Sequence, residues 1–209
     1  MAVRSVNFSF PLKDFRRCVQ EICSLFNISS LQENQFQALY SFVCGEDVFV
    51  NLPTGFGKSL IFQMAPIVYI WMNKNVSAIH WKDDPIIIVI SPLLTLMQDQ
   101  VKKLSSLGFK AAFVGPDQKP EVLNDIEQGK LTFVYISPES TLASERWRNT
   151  IDSQIYQDRL IGVAVDKVHF VTEWGTSASN RNRSAFRVWY SRLNEIGRAS
   201  CRERVSSPV

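Results

Sequence analysis

The segment that most restricts how this chain can fold is residues 48–63, VFVNLPTGFGKSLIFQ. A short β-prone run at 47–51 leads into a glycine-containing turn, and an apolar helix is predicted from 58 to about 72. In a strand–turn–helix of this kind, Gly55 and Gly57 can take backbone conformations that turn N–H groups onto phosphate oxygens. The helix that follows directs its positive end at the same anion. Lys58 is then expected to reach the β- and γ-phosphates of a nucleotide, and Ser59 to offer its hydroxyl to Mg²⁺, with Thr54 and Phe56 completing the loop. Leu52 occupies the first glycine position of the full phosphate-loop pattern, but the core TGFGKS is intact.

Strands and helices alternate through the remainder. Helical spacing is read at 14–26 and 31–44, with Gly45 as a cap, and at 93–107, where Gly108 stops the helix. A further short helix, at 120–128, starts with proline. Strands are read at 85–90, 110–114, 131–136 and 160–165, the first a continuous β-branched run suited to burial on both faces. The expected fold is α/β, a mostly parallel sheet with helices on both faces. With 45% hydrophobic and 21% charged residues, the composition is that of a soluble globular chain. The most apolar stretch, 60–72, contains Gln63 and Pro66 and falls short of the roughly 20 residues that cross a bilayer. The N-terminus carries no signal-peptide pattern, so an intracellular protein without a membrane span is expected. Cys18, Cys23, Cys44 and Cys201 form no CxxC pair, and two histidines are too few for a common zinc pattern. Reduced thiols and no structural zinc follow.

Three further stretches sit where predicted strands end. Ser91-Pro92-Leu93-Leu94-Thr95-Leu96-Met97-Gln98-Asp99-Gln100 follows the strand at 85–90. Tyr135-Ile136-Ser137-Pro138-Glu139 closes the strand at 131–136. Asp166-Lys167-Val168-His169 follows the strand at 160–165. With the phosphate loop, these motifs resemble those of the RecQ-type superfamily 2 helicases from about Phe26 to Leu193. Superfamily 2 helicases also carry Leu or Ala where Leu52 stands.

The resemblance implies an incomplete RecA-like P-loop domain that binds ATP and Mg²⁺ and acts on DNA, single-stranded or duplex with a single-stranded tail. FNISSLQENQ, residues 26–35, looks like the adenine-recognition segment, with Gln35 in place of the glutamine that reads the base. Ile28 replaces its stacking aromatic, and Gln32 a basic residue. Ser91, Pro92, Gln98, Ser137 and Pro138 are implied to face the tracked strand through its phosphates. Asp166 is implied to hold Mg²⁺, with Ser59, and His169 to couple the nucleotide and nucleic-acid sites. Lys167 occupies the position of the glutamate that orients the attacking water. An ammonium cannot act as that base, so weak or absent hydrolysis with retained nucleotide binding is expected. Trp174-Gly175, then ten residues, then Phe186-Arg187-Val188-Trp189-Tyr190 resembles the family's aromatic-rich loop, in which Trp174, Phe186 and Arg187 would meet single strands.

Formal net charge is only +3, but residues 181–209 hold seven Arg against two Glu. Part of that excess lies in IGRASCRERV, 196–205, which has no helical periodicity and reads as a translated sequencing adapter. The expected division is therefore a helical extension at 1–25, an ATP-binding domain at 26–195 that lacks its final strand, and a non-native tail at 196–209. A complete motor of this kind needs a second lobe, for which the chain has no room, so it is expected to be inactive alone. The leading reading is the ATP-binding lobe of a 3′-to-5′ DNA helicase of repair and recombination, in the nucleus or the cytoplasm. The alternatives are a non-hydrolysing ATP- and nucleic-acid-binding module, and another superfamily 2 helicase that acts on RNA.

Overall fold

The computed structural model of the chain describes residues 11–53, 55–76, 83–116 and 118–166. They fall into two compact units, one ending at Pro85 and the other beginning at Ile86.

The first unit is helical: α1 (Leu12–Leu25), α2 (Glu33–Val43) and α3 (Lys58–Asn75). In α1, Phe15, Cys18, Val19, Ile22 and Cys23 are buried, the spacing that makes one apolar stripe on a helix. Phe15 meets Phe36 and Tyr40 of α2 edge-on, with ring centroids 5.1 and 5.0 Å apart. Helix α3 buries Met64, Ala65, Val68, Tyr69 and Met72, and the Tyr69 hydroxyl donates to the Val43 carbonyl at 3.0 Å. It continues through Pro66, which has no N–H to donate to the Phe62 carbonyl one turn back. On the surface, the Trp71 indole N–H donates to Glu21 at 2.6 Å and Arg17 pairs with the same carboxylate at 3.1 Å. Those contacts hold the Glu21 carboxyl below the usual range, the Trp71 hydrogen bond being the larger cause. Gly45, at φ +87°, terminates α2 as its position suggests.

One expected element is absent. Residues 47–51 alternate between exposed and half-buried, as a strand would, but form no ladder among the described residues. A strand is defined by the partner that takes its N–H and C=O groups, and β-propensity alone does not supply one. Phe49 is left 83% exposed.

The second unit carries a four-stranded, wholly parallel sheet: β1 (Ile86–Ile90), β2 (Ala111–Phe113), β3 (Phe133–Ile136) and β4 (Leu160–Val165). The strand order is β2-β3-β1-β4. All five residues of β1 are buried, which is why its sequence, IIIVI, shows no alternation. Helix α4 (Leu94–Ser106) joins β1 to β2, and α5 (Pro120–Glu127) joins β2 to β3. Between β3 and β4 the chain forms three short helices, α6 (Pro138–Ala143), α7 (Glu145–Ile151) and α8 (Gln154–Arg159), where no element was expected. Each has six or seven residues, too few for a periodic apolar pattern to show.

Those short helices help build the core. Trp147, Ile151 and Tyr156 pack with Ile126 of α5 against Ile86, Ile88, Ile90, Val134 and Ile136. The Tyr156 hydroxyl donates to the Ile126 carbonyl at 2.7 Å, and burial pushes its pKa up.

Candidate functional site

The phosphate loop, in the first unit, joins an extended limb to the start of α3. Gly55 and Gly57 have φ of +87° and +67°, the left-handed region that favours glycine. Gly57 is the N-cap of α3, so the free N–H groups of the helix start where the turn ends. The Lys58 ammonium folds back over the loop, donating to the Leu52 carbonyl at 2.6 Å and to the Pro53 carbonyl at 3.0 Å. Two carbonyl oxygens thus hold the cation that an anion would otherwise hold. A phosphate chain entering the loop exchanges partial negative charges for full ones, an exchange that favours the ligand. Ser59 is half-buried one residue into the helix, and the Phe56 side chain is 44% exposed. Gln35, expected to read adenine, is buried in this unit and bonded to the loop, with its amide nitrogen 2.7 Å from the Phe56 carbonyl oxygen.

The sheet, in the second unit, gathers a different set. Ile90 is in register with Ile136 on one side and with Val165 on the other. Ser137, Ser91 and Asp166, each the residue after a strand, therefore leave the same edge of the sheet side by side. Adjacent strands lie about 4.8 Å apart, so the three backbones span roughly 10 Å. Ladder bonds continue into the turns, since the Ser91 N–H donates to the Ile136 carbonyl at 3.0 Å and the Asp166 N–H to the Ile90 carbonyl at 2.9 Å. The carboxyl ends of parallel strands are where open α/β sheets bind ligands.

Individual side chains at this edge differ in how available they are. Ser91 is 2% exposed, and its hydroxyl has no hydrogen-bond partner among the described residues. The Ser137 hydroxyl caps α6, accepting from the Ser140 N–H at 3.1 Å. Pro138 is buried as the first residue of α6, Pro92 is half-buried, and Gln98 is exposed on α4. Thr54, Lys167, His169, Trp174, Phe186 and Arg187 lie outside the described residues.

Residues 30–189 match the DEAD/DEAH box helicase family. The chain belongs to that family. It is 37% identical over 172 residues to the ATP-dependent helicase SGS1 of Saccharomyces cerevisiae, an alignment that takes in 80% of this chain and 11% of that protein. It is 30% identical over 177 residues to the RecQ-like DNA helicase BLM of Xenopus laevis, covering 82% of this chain and 11% of that protein. With the ATP-dependent DNA helicase RecQ of Haemophilus influenzae it shares 29% over 156 residues, 73% of this chain and 22% of that protein. The chain thus spans between about a tenth and a quarter of the length of these relatives. Use of ATP follows from helicase family membership, and the resemblance to RecQ-type proteins read from the motifs stands.

Other features of this helicase chain bear on what the site can hold. Cys18 and Cys23 are buried thiols, and burial pushes both up in pKa. Among the described residues no three His, Cys, Asp or Glu side chains converge on a metal position. No described helix is long and apolar enough to cross a membrane. Sequence reasoning missed the Leu52 and Pro53 carbonyls as partners of Lys58, because backbone acceptors leave no mark in the sequence. It also missed Ser140 and Thr141, which bind the turn at Ser137.

Proposed function

We propose that this chain is the ATP-binding and DNA-binding lobe of a RecQ-like DNA helicase, with residues 26–195 as the lobe and 1–25 as an extension. The observation that carries this reading is the phosphate loop, in which two left-handed glycines precede a helix start and a lysine ammonium rests on loop carbonyls. The residues fit a nucleotide with Mg²⁺. Lys58 and the N–H groups at the head of α3 would take the phosphates, and the Ser59 hydroxyl is an oxygen donor of the kind Mg²⁺ prefers; the resemblance gives the Asp166 carboxylate the same role. Bound Mg²⁺ would neutralise phosphate charge, and Lys58 would orient the terminal phosphoryl group. The turns at Ser91-Pro92 and Ser137-Pro138, with Gln98 on α4, would face a DNA single strand through its phosphates. Trp174, Phe186 and Arg187 would stack on bases and pair with phosphate. His169 would couple the two sites. The protein would work in the nucleus where the cell has one.

Lys167 favours a second reading, a lobe that binds ATP without hydrolysing it, because a lysine ammonium cannot act as base toward the attacking water. Both readings meet one experiment. Binding of a fluorescent ATP analogue with Mg²⁺ is measured for the chain and for Lys58→Ala, together with phosphate release in the presence of oligo-dT. Analogue binding that Lys58→Ala weakens at least tenfold supports the nucleotide site, and no binding by the unaltered chain refutes it. Phosphate release is expected at background in the unaltered chain. In a chain extended to both lobes, Lys167→Glu should raise it. DNA-stimulated release that Lys167→Glu leaves unchanged would remove the role given to this position.

A further inference from the structure

Two Ser-Pro turns leave the sheet side by side, and they use their serines differently. Ser137 Oγ accepts from the Ser140 N–H at 3.1 Å and so caps α6. Ser91-Pro92 repeats the pattern after β1, but the helix there begins later. The N-cap of α4 is Leu93, two residues beyond Ser91, so the capping position passes to a side chain without an oxygen. The Ser91 hydroxyl is thereby released from capping. It is 2% exposed and has no hydrogen-bond partner among the described residues. A buried hydroxyl in that condition is costly and calls for a reason.

Alternation along the strands says which way it points. Ile88, Ile90, Ile136 and Val165 all pack into the core with Trp147 and Tyr156. The residue after each strand faces the other way, and the ladder bonds to the Ile136 and Ile90 carbonyls carry that alternation into the turns. Ser91 and Asp166 therefore share the face turned from that core. Ile90 is in register with Val165, so the two residues are direct neighbours on strands about 4.8 Å apart. A hydroxyl and a carboxylate reaching out from such positions can close to the roughly 2.5–3.0 Å of a hydrogen bond. Ser137, the neighbour on the other side, already gives its proton to Ser140 Oγ and takes the Ser140 N–H. Of the two neighbours, Asp166 is the one with a carboxylate to accept. We infer that Ser91 is a positioning residue for Asp166, its hydroxyl donating to one carboxylate oxygen and so turning the other toward hydrated Mg²⁺. This inference rests on the role proposed for Asp166 toward Mg²⁺. The DNA phosphates would then meet the N–H groups at the head of α4, and the Ser91 hydroxyl would serve the cation.

The test separates the metal from the nucleotide and from DNA. Affinity of the full chain for ATP is measured by calorimetry in Mg²⁺ and in EDTA, with the thermal midpoint and oligo-dT anisotropy alongside, for the unaltered chain, Ser91→Ala and Asp166→Asn. Ser91→Ala should lose roughly tenfold in Mg-ATP affinity, the usual scale for removing a partner behind a metal ligand. Its affinity for ATP in EDTA should not change, and it should melt no lower, since the substitution removes no hydrogen bond of the folded chain. Equal Mg-ATP affinity in Ser91→Ala and the unaltered chain would overturn the inference. So would an equal loss with and without Mg²⁺, which marks a general disturbance of the fold. A loss of oligo-dT affinity with the Mg²⁺ advantage intact would put the hydroxyl on a DNA phosphate and overturn it as well. If Asp166→Asn keeps the Mg²⁺ advantage, the role of Asp166 fails first and this inference falls with it.

Discussion

Ser137 serves two demands that a pair of substitutions can separate. Its backbone is extended, φ −78° and ψ 152°, and its hydroxyl accepts from the Ser140 N–H at 3.1 Å while donating to Ser140 Oγ at 3.1 Å. Its carbonyl takes the Thr141 hydroxyl at 2.8 Å. Ser137→Ala deletes the cap of α6. Caps of this type are worth about 1 kcal/mol, and Ser140 is only half-buried, so water replaces part of the loss. For the sheet unit this lowers the thermal midpoint by about 3–5 °C. Ser137→Asp keeps an oxygen opposite the Ser140 N–H, so the midpoint should recover. If DNA phosphate passes this turn, the carboxylate repels it and oligo-dT affinity falls roughly tenfold, less at high salt. Circular dichroism melts and fluorescence anisotropy with labelled oligo-dT at two salt concentrations read both quantities. An unchanged midpoint in Ser137→Ala would refute the capping argument. Binding by Ser137→Asp as tight as that of the unaltered chain would refute the placement of DNA at this turn.

Two further perturbations follow from local geometry. Gly108 and Gly129 end α4 and α5 with φ of +84° and +64°, but a Cβ on Gly108 meets nothing within 4 Å, whereas one on Gly129 lies 2.5 Å from Ile155 Cγ2 and 3.3 Å from Ile86 Cδ1. In urea denaturation, Gly108→Ala should cost about 1 kcal/mol for backbone strain, and Gly129→Ala about 3 kcal/mol once overpacking is added; equal costs would show that the steric term is absent. Glu21 has its carboxyl lowered first by the Trp71 indole and then by Arg17. The folded-state value lies below the unfolded one, so the stabilising contact is complete above the unfolded carboxylate pKa and is lost as pH falls through the folded value. Side-chain NMR titration should give Glu21 a midpoint below that of free glutamate, and Trp71→Phe should move it upward; no movement would refute the hydrogen bond.

Elements whose own residues decide their state were legible in the sequence. β1 is five β-branched residues long, and nothing but a doubly buried strand suits them. Helix α4 stops before a glycine with a positive φ, where its pattern predicts. Element ends moved by one to three residues, as in β3, which begins at Phe133 instead of 131, because strand ends are set by the neighbour's length. Residues 47–51 and 138–159 failed in opposite ways. The first had the propensity without a partner to bond with. The second had no long-range period, yet α7 and α8 supply Trp147, Ile151 and Tyr156 to the core. A helix of six residues offers one or two buried positions, and two points do not define a repeat.

The site was legible in its residue types and not in its directions. Glycine at 55 and 57 announced the turn, and the strand ends at 90, 136 and 165 could be read well enough to put Ser91, Ser137 and Asp166 after them. Register then set them abreast, and register is a property of pairs of strands that no single segment carries. Gln35 shows the same limit at one residue. The spacing Gln32-x-x-Gln35 is the capping-box pattern, in which the third residue inside a helix reaches back to the cap. That signal would have predicted the Oε1 contact to Gln32. It could not have predicted Nε2, because an amide that caps with its oxygen has its nitrogen pointing outward, and what lies there is decided by how α2 packs on α3. Here it meets two carbonyls that precede Lys58 in the chain. A glutamine at a helix start thereby bonds to a loop more than twenty residues away, and the sequence separation of that pair, 21 positions, is what hides it from local reading.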